Sequence, residues 1–341
     1  MIRLRVAILG AGRAGALHAR NLQQHAGAAT VAAVVDDDPG RARSLAAELD
    51  AAPHATLDEA LASRDLDAVV IATPTDSHHR LALAAFEAGL HVFCEKPMAL
   101  SVTECDEMIA AAHTADRALQ IGFVRRFQPE FLEARAQIEA GQIGEVMLVK
   151  SLTRGPGLPP AWANDLALSN GMLAEVNSHC FDSVRWMSGS EIVRVYSEVS
   201  NRKGDALGVQ TEGFYDNAVV SLRLASGALG AIDGVCPAGY GYDARMEIVG
   251  SEGLIAVGET VGMSVLTCVD RSAGARRPVH RTWPERFSWG YVREIQAFVA
   301  TARGAEPVGA GGQDGRQAVA AVIAGNRSWQ EGRPIELGPG S

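Results

Sequence analysis

The feature that most constrains how this chain folds is a glycine pattern near its N-terminus, Gly10-Ala11-Gly12-Arg13-Ala14-Gly15. The pattern follows an apolar run over residues 5–9 and precedes a helix-forming segment over residues 13–24. In such a context the first glycine permits a tight turn, the second lets backbone approach a pyrophosphate, and the third lets helix pack on strand. Glycine-rich turns without a ligand are also common, so the pattern gains weight only from its surroundings. It predicts a strand–turn–helix unit that binds a dinucleotide.

The surroundings support that interpretation, because apolar β-branched runs alternate with longer Ala/Leu/Glu/Arg segments throughout the first third of the chain. Strands are predicted at 5–9, 30–35, 68–72, 90–94 and 118–122, and helices at 13–24, 40–49, 78–88 and 102–114. Two helix starts carry the capping-box pattern, Thr56-x-x-Glu59 and Ser101-x-x-Glu104. Right-handed crossovers then give a doubly wound parallel sheet of the Rossmann type. We assign residues 1–121 to this NAD-binding domain.

Beyond residue 121 the pattern changes to a helix at 129–140 followed by alternating strand-like segments at 144–152, 192–200, 216–225, 228–235, 244–249 and 253–257. Turn signals such as Ser226-Gly227 and Ser251-Glu252-Gly253 indicate antiparallel hairpins. Two closing helices are predicted at 290–302 and 314–331, joined through a glycine-rich connector at 308–315. We therefore expect residues 122–341 to form a second α/β domain with a large, mostly antiparallel sheet.

Composition excludes several classes of partner. A formal net charge of -9 argues against nucleic acid, whose phosphates require clustered Lys and Arg. No run approaches the roughly 18 apolar residues of a membrane-spanning helix. The five cysteines form no CxxC pair, which fits a reducing cytoplasm better than a disulfide framework. We expect a soluble cytoplasmic protein with a small-molecule partner.

An acidic cluster defines the expected cofactor. The second predicted strand ends at Asp36, about twenty residues beyond the glycines, where a carboxylate can bind the adenosine ribose hydroxyls. Asp36, Asp37 and Asp38 offer only negative charge where a 2′-phosphate would lie. The sequence therefore predicts NAD rather than NADP.

Two further segments follow predicted strands, Thr73-Pro74-Thr75-Asp76-Ser77-His78 and Glu95-Lys96-Pro97. They should lie at the carboxyl edge of the sheet, in the crevice where such sheets bind ligands. With these motifs in this order, the chain resembles the glucose-fructose oxidoreductase and inositol dehydrogenase (GFO/IDH/MocA) family, and within it the inositol 2-dehydrogenases. The resemblance continues through Gly122-Phe123-Val124-Arg125-Arg126-Phe127, Gly141-Gln142-Ile143-Gly144 and Asp314-Gly315-Arg316. Each motif is weak singly, but together they cover nearly the full chain.

The resemblance implies that Lys96 lies at the reacting centre. It implies also that Glu95 shapes the nicotinamide pocket and that Pro97 follows a cis peptide bond. Together with the glycine pattern and the acidic cluster, the segments Thr73-Pro74-Thr75, His78 and Glu95-Lys96 are our candidate cofactor ligands. A lysine acts in proton transfer only if its pKa falls from about 10.4 toward neutrality. Burial and a positively charged nicotinamide both favour such a fall.

A second candidate group lies at Glu175-Val176-Asn177-Ser178-His179-Cys180-Phe181-Asp182. If the segment is one helix, its spacings place Glu175, His179 and Asp182 on one face. The family usually reads Asp-x-x-x-His-x-x-Asp here, which implies that His179 joins the lysine in proton transfer and that Asp182 contacts substrate. Glu175 departs by one methylene, so it is either catalytic or only orients His179.

These residues also allow other interpretations. A zinc site from Glu175, His179, Cys180 and the pair His78-His79 lacks a compact ligand set, so no metal is expected. Cys94 and Cys180 fit small apolar fillers better than nucleophiles. Arg125 or Arg126 is a candidate substrate ligand, with Arg126 preferred, although an ion pair explains either residue equally well. Trp162, after the Pro/Gly-rich stretch from Arg154, is either a platform for a sugar ring on a lid or part of a surface connector.

The resulting hypothesis is an NAD-dependent dehydrogenase acting on a secondary alcohol of a sugar or cyclitol. Lys96, relayed by His179, takes the hydroxyl proton as hydride leaves for the cofactor. One rival is an NAD-dependent glycosidase that uses transient hydride transfer, and another is a non-catalytic NAD(H)-binding sensor. By resemblance we expect a homodimer or homotetramer formed through the C-terminal sheet.

Overall fold

The computed structural model describes residues 3–63, 65–209, 211–258, 267–268, 275–276 and 280–338. The chain divides into two compact units. The first contains Met1–Gln128 and Trp289–Val319, and the second contains Pro129–Ser288 and Ala320–Ser341. The assignment of cofactor binding to residues 1–121 and of substrate binding to 122–341 stays a prediction.

The strands, in chain order, are β1 Leu4–Leu9, β2 Ala29–Val35, β3 Ala52–His54, β4 Ala68–Ile71, β5 His91–Cys94, β6 Leu119–Ile121, β7 Val146–Arg154, β8 Ile192–Ser200, β9 Asn217–Leu224, β10 Leu229–Val235, β11 Asp243–Gly250, β12 Leu254–Val257, β13 Thr267–Cys268, β14 Ala275–Arg276, β15 Ala310–Gly311 and β16 Ile335–Glu336. The α-helices are α1 Arg13–His25, α2 Pro39–Leu49, α3 Leu57–Ser63, α4 His78–Glu87, α5 Val102–Ala115, α6 Pro129–Glu139, α7 Leu166–Ser169, α8 Gly171–Glu175, α9 Ser178–Ser188, α10 Trp283–Arg286, α11 Ser288–Ala302 and α12 Gly312–Glu331. Within the described residues, every helix is too short or too polar to span a bilayer.

The first unit is a doubly wound sheet in the strand order β15-β6-β5-β4-β1-β2-β3. All neighbours pair in parallel except β15, which runs antiparallel to β6. Parallel strands that are buried on both faces read as continuous apolar runs, and β4 is Ala-Val-Val-Ile. Because β1, β2, β4 and β5 are consecutive neighbours, the loops after them emerge at one edge of the sheet. The predicted Rossmann fold is confirmed.

The core of this unit is closed by α11. Ile295, Phe298 and Val299 pack in one cluster with Val6, Ile8 and Phe93 of the sheet. Residues 289–319 therefore complete the first unit although they are distant from it in sequence. The predicted glycine-rich connector at 308–315 contributes β15, which adds an edge strand to this sheet.

The second unit contains a sheet in the order β12-β11-β7-β10-β9-β8-β16. Its neighbours are antiparallel except β7 and β10, which pair in parallel. Along β9, buried and outward positions alternate, so that Val220 and Leu222 are buried while Val219 is 63% exposed. Helix α9 covers the inner face, where the Cys180 thiol lies 3.1 Å from the Thr153 hydroxyl. The predicted mostly antiparallel sheet is confirmed.

Candidate cofactor and active site

The turn after β1 explains the glycine pattern atom by atom. Gly10 has a φ of +95°, and an added Cβ would lie 2.6 Å from the carbonyl oxygen of Ala72. A Cβ on Gly15 would lie only 1.8 Å from the carbonyl oxygen of Gly10. A Cβ on Gly12 would meet no atom within 4 Å among the described residues. Gly10 and Gly15 are therefore required by the fold, whereas Gly12 keeps open the space above the turn.

This open space lies at the start of α1. The helix begins at Arg13 with Gly12 as its N-cap, and its first turn holds neither a side-chain cap nor an acidic residue within Gly12–Ala16. The first amides of a helix carry a partial positive charge and point outward when no side chain accepts from them. Ala11, Arg13 and Ala14 complete the turn. The predicted site at residues 10–15 is thus shaped for an anionic group such as a pyrophosphate.

Asp36 lies at the end of β2, next to this turn. Its carboxylate accepts hydrogen bonds from the Ala11 amide at 2.7 Å and the Asp38 amide at 2.9 Å. Burial alone would raise the pKa of Asp36, but the Ala11 amide, the Arg41 guanidinium and the Asp38 amide together hold it below the ordinary value. The carboxylate is therefore charged at neutral pH and fixed beside the glycine turn.

Arg41 corrects one expectation drawn from the acidic cluster. Its guanidinium lies 2.9 Å from Asp36 Oδ1 and 3.2 Å from Asp37 Oδ1. The expectation of only negative charge in this region is therefore wrong, because α2 brings a cation to the same carboxylates. The sequence contained the signal, an arginine in the first turn of the predicted helix, but the acidic run masked it.

The loops after β4 and β5 are joined by His78. One ring nitrogen lies 2.9 Å from the carbonyl oxygen of Thr73, and the other lies 2.9 Å from that of Pro97. The side chain is buried, and this burial lowers the pKa of His78 although the two nearby carbonyl oxygens favour the charged ring. The neutral ring donates to one of these oxygens at a time. His78 thus ties the Thr73-Pro74-Thr75 loop to the Glu95-Lys96-Pro97 loop. Thr75 is buried beside it, and the peptide bond before Pro97 is cis, as predicted.

Glu95 holds the backbone at the predicted reacting centre. Its Oε2 accepts a hydrogen bond from the Lys96 amide at 3.1 Å, and its Oε1 lies 2.6 Å from Nε2 of His18 in α1. Burial alone would raise the pKa of Glu95, but the hydrogen bond and charge of His18 and the charge of Lys96 outweigh it and lower the value. His18 is a residue that sequence reasoning missed. Its contact with Glu95 joins positions 77 residues apart.

Arg125 and Arg126 follow β6 and are both buried. The Arg126 guanidinium forms an ion pair with Asp314 at 2.8 Å and lies 3.4 Å from the carbonyl oxygen of Gly309. These contacts fix the segment after β6 against the start of α12. The ion pair and the carbonyl contact do not test the predicted contact of Arg126 with substrate.

The remaining predicted residues lie in the second unit. The segment from Glu175 to Asp182 is not one helix, because α8 ends at Glu175 and α9 begins at Ser178. Asn177 precedes α9, and its Nδ2 lies 3.4 Å from the carbonyl oxygen of Asp233. The expectation of one helical face for Glu175, His179 and Asp182 is therefore wrong for Glu175. His179 and Asp182 share α9, three residues apart, and both are buried.

Trp162 is half-buried in a 3-10 turn, Ala161–Asn164. Beside this turn lies a cavity of about 10 Å³, whose lining includes Pro159, Asn164, Met172 and Phe214. A cavity of this size holds about one water molecule and is too small for a sugar ring. Arg154, which precedes the turn, instead pairs with Asp233 at 2.8 Å.

The buried cysteines that the structure describes do not form a reactive or metal-binding group. Cys94 and Cys180 are fully buried, and burial raises the pKa of the Cys94 thiol well above its ordinary value. A protonated buried thiol is a poor nucleophile. Among the described residues, no three His, Cys, Asp or Glu side chains come together as a metal site.

The first unit thus presents, at one sheet edge, the groups that a nicotinamide dinucleotide requires. The open space above Gly12 and the uncapped α1 suit a pyrophosphate, and the charged Asp36 suits a ribose. Lys96 and Thr73 follow the neighbouring strands β5 and β4. The residues present therefore fit the predicted cofactor.

Comparison with known proteins agrees with this fit. Residues 4–123 match the GFO_IDH_MocA model, described as an oxidoreductase family with an NAD-binding Rossmann fold. Residues 131–256 match the GFO/IDH/MocA C-terminal domain. The chain is 32% identical to the myo-inositol 2-dehydrogenase of Thermotoga maritima, over 98% of each protein.

Solved structures give the same result. A putative myo-inositol dehydrogenase from Sinorhizobium meliloti superposes with a TM-score of 0.90 at 33% identity, covering 98% of this chain and 100% of that one. The scyllo-inositol dehydrogenase of Lactobacillus casei, solved with NAD(H) and scyllo-inositol bound, superposes with a TM-score of 0.89 at 26% identity, covering 98% and 99%.

Proposed function

We propose, from the premise that this chain belongs to the GFO/IDH/MocA family of oxidoreductases, that it oxidises a secondary alcohol of an inositol-like cyclitol or a related sugar derivative. Its cofactor is NAD, which accepts or returns a hydride when bound. Reduction of the corresponding ketone is the same reaction in reverse. The substrate class rests on the relatives named above, which act on inositols.

The observation that carries this proposal is the environment of Lys96. Its backbone is fixed by the Glu95 carboxylate, and its loop is tied to the Thr73 loop by His78. A fixed loop holds its lysine in one place relative to a bound ring, as proton transfer requires. In the proposed reaction Lys96 Nζ takes the proton of the substrate hydroxyl, and His179 passes it on.

The other candidate residues support these two. Asp182 contacts substrate hydroxyls, and Glu175, which lies outside α9, orients the His179 segment rather than sharing its face. Arg126 and Trp162 are further proposed substrate contacts. Residues 1–121 bind NAD, and residues 122–341 bind substrate and assemble a cytoplasmic homo-oligomer through the C-terminal sheet.

A substrate panel with Lys96→Ala tests the proposal. The wild-type protein should accumulate NADH with myo-inositol, scyllo-inositol or a related cyclitol, and Lys96→Ala should lower kcat by about 10²- to 10⁴-fold. Lys150→Ala is the matched control, because Lys150 is an exposed lysine paired with Glu247. His179→Gln should lower kcat in the same direction.

The results of this experiment distinguish the dehydrogenase from the glycosidase and the NAD(H)-binding sensor. Unchanged turnover in Lys96→Ala would remove that residue from the mechanism. Cleavage of a glycoside without net NADH would indicate the transient-redox glycosidase. NAD binding without turnover of any polyol, sugar acid or keto-sugar would favour the sensor.

A further inference from the structure

Helix α11 carries an acidic residue on its buried face. Tyr291, Glu294, Ile295 and Phe298 recur at helical spacing and face the core of the first unit, and Glu294 is 0% exposed. An ionised carboxylate in such a place is unfavourable unless it is paired. Neither carboxyl oxygen of Glu294 has a hydrogen-bond partner among the described residues. A buried, unpaired acid on a core helix requires an explanation.

The contacts around Glu294 show what it faces. The ring of His18 lies 5.6 Å from that of Tyr291 and 4.8 Å from that of Phe93, and Phe93 lies 5.8 Å from Phe298. Position 294 lies between 291 and 298 on the same helix face. Glu294 therefore lies on the helix face that packs against His18 and β5, and the charge of Glu95, at the end of β5, acts on its carboxyl group.

A second contact shows the relative direction of helices α11 and α1. Gln296 Nε2 donates to the carbonyl oxygen of His25 at 2.8 Å, seven residues after His18. The two helices thus run in the same direction. Nδ1 of His18 is also buried without a partner in the described part of the chain, so Glu294 does not hydrogen-bond to it.

A carboxyl group without a partner in the core is more stable protonated than ionised, because an unpaired buried charge costs far more than an unpaired buried hydroxyl. Burial without a partner therefore favours the uncharged form of Glu294.

The charge of the cluster points to the same state. The titratable groups on the elements packed around this part of α11 are His18 of α1, Glu95 at the end of β5 and Tyr291 of α11 itself. From β6, Gln120 Nε2 donates to the backbone carbonyl oxygen of Glu294 at 3.1 Å and leaves its carboxyl group untouched. Burial, and then the charge of Glu95, raise the pKa of Glu294 well above its ordinary value. Two carboxyl groups in one buried site cannot both ionise readily, and Glu95 is the one held charged.

We propose that Glu294, as an uncharged carboxylic acid, is a positioning residue for the reaction that acts through His18 and Glu95. It leaves Glu95 as the single negative charge of the cluster, and so preserves the His18–Glu95 contact and the hydrogen bond from Glu95 to the Lys96 amide. Ionisation of Glu294 would place a second negative charge beside Glu95 and loosen this support. The catalytic part of the inference rests on the proposed role of Lys96.

The proton on Glu294 is tested by stability, independently of activity. Folding keeps this acid protonated, so unfolding releases a proton at any pH between its ordinary pKa of 4.5 and the raised value. The contribution of Glu294 to stability is therefore complete below pH 4.5 and is lost as the pH rises toward the folded pKa. Relative to Glu294→Gln, the wild-type unfolding constant should increase by up to about tenfold per pH unit.

Urea unfolding of wild type, Glu294→Gln and the control Glu306→Gln at intervals from about pH 5.5 to 8.5 measures this slope. Glu306 is an exposed carboxylate of the same unit, so its variant should follow the wild type. A difference between wild type and Glu294→Gln that is constant with pH would overturn the proposal. The infrared spectrum of the wild type should show a protonated carboxyl band at pH 7, and its absence would overturn the proposal even if Glu294→Gln did not fold.

The positioning role is tested by the pH profile of kcat. Glu294→Gln keeps an uncharged polar group, so it should retain the neutral-pH kcat within about threefold and lose activity at a higher pH than the wild type. Glu294→Leu should lower kcat about tenfold at neutral pH. Superimposed profiles for wild type and Glu294→Gln, with full activity in Glu294→Leu, would overturn the positioning role. An active Lys96→Ala variant would instead contradict the proposed function, but it would not change the stability test of the proton on Glu294.

Discussion

The contact between Asp36 and Arg41 determines which ligand groups the two side chains can bind. The Arg41 guanidinium is half-exposed and bound to Asp36 Oδ1 through both Nε and a terminal nitrogen, at 3.0 and 2.9 Å. Arginine is the residue best suited to binding phosphate oxygens in pairs. In this chain that capacity is occupied by the carboxylate that suits an unphosphorylated ribose. The preference for NAD therefore depends on an ion pair as well as on repulsion.

We predict that Asp36→Ala lowers kcat/KM with NAD by about 10- to 100-fold, because it removes charged hydrogen-bond acceptors worth about 1.5–3 kcal/mol. The same change frees Arg41 for a 2′-phosphate, so the ratio of NADP to NAD activity should rise. Adding Arg41→Ala should cancel most of that rise, whereas adding the neighbouring exposed Arg43→Ala should not. Equal ratios in the single variant and in Asp36→Ala/Arg41→Ala would show that Arg41 has no part in cofactor choice.

At this scale the sequence predicts residues whose role follows from a local pattern, and misses those whose role depends on a distant partner. Gly10, Gly15 and Asp36 belong to one continuous strand–helix–strand unit, β1-α1-β2, so their spacing specifies their task. His18 and Glu294 carry no such signal, because their neighbours come from strands and helices far along the chain. An isolated acid in an amphipathic helix is normally solvent-exposed, and only packing shows that Glu294 is buried.

Among the helices, the start of α5 is the clearest case of a local sequence signal that determines structure. Ser101 Oγ accepts from the Glu104 amide at 3.2 Å, and the Glu104 carboxylate accepts from the Ser101 amide at 3.0 Å. The other predicted box is formed differently, because Glu59 accepts from the Ala55 amide rather than from Thr56. Both helices nevertheless begin where the pattern places them.

We predict that Ser101→Ala lowers the free energy of unfolding by about 1 kcal/mol, since it leaves the Glu104 amide without its acceptor. Thr103→Ala is the control, because Thr103 is exposed in the same turn and alanine is the better helix former. Urea denaturation followed by circular dichroism measures both. A Ser101→Ala variant as stable as Thr103→Ala would mean that the cap contributes nothing.

The elements that the sequence did not predict are short or depend on pairing. β3, β15 and β16 span two or three residues each, too few for an alternating pattern to be recognised. The parallel pairing of β7 with β10 was missed because turn signals report only hairpins between consecutive strands. The break between α8 and α9 likewise has no proline, so the run of 3.6-residue spacing suggested one helix.

The outer face of the second sheet bears on the assembly of the whole molecule. Leu254, Val249, Leu148 and Leu229 lie side by side across β12, β11, β7 and β10, because each is the register partner of the next. Leu254 is 56% exposed and Leu229 is 48% exposed. A continuous apolar row on an open sheet is typical of a surface that pairs with another chain. It lies on the domain that we assign to oligomerisation.

We predict that the wild-type protein is an oligomer and that Leu229→Glu reduces it to a smaller species, because assembly would bury a carboxylate at a cost of several kcal/mol. The subunit itself should fold normally, since the side chain is half-exposed in it. Val308→Glu, at a 59% exposed position outside this sheet, is the control and should keep the wild-type mass. Sedimentation velocity measures all three proteins. An unchanged mass in Leu229→Glu, or a monomeric wild type, would remove this row from the interface and leave the sheet face without an assembly role.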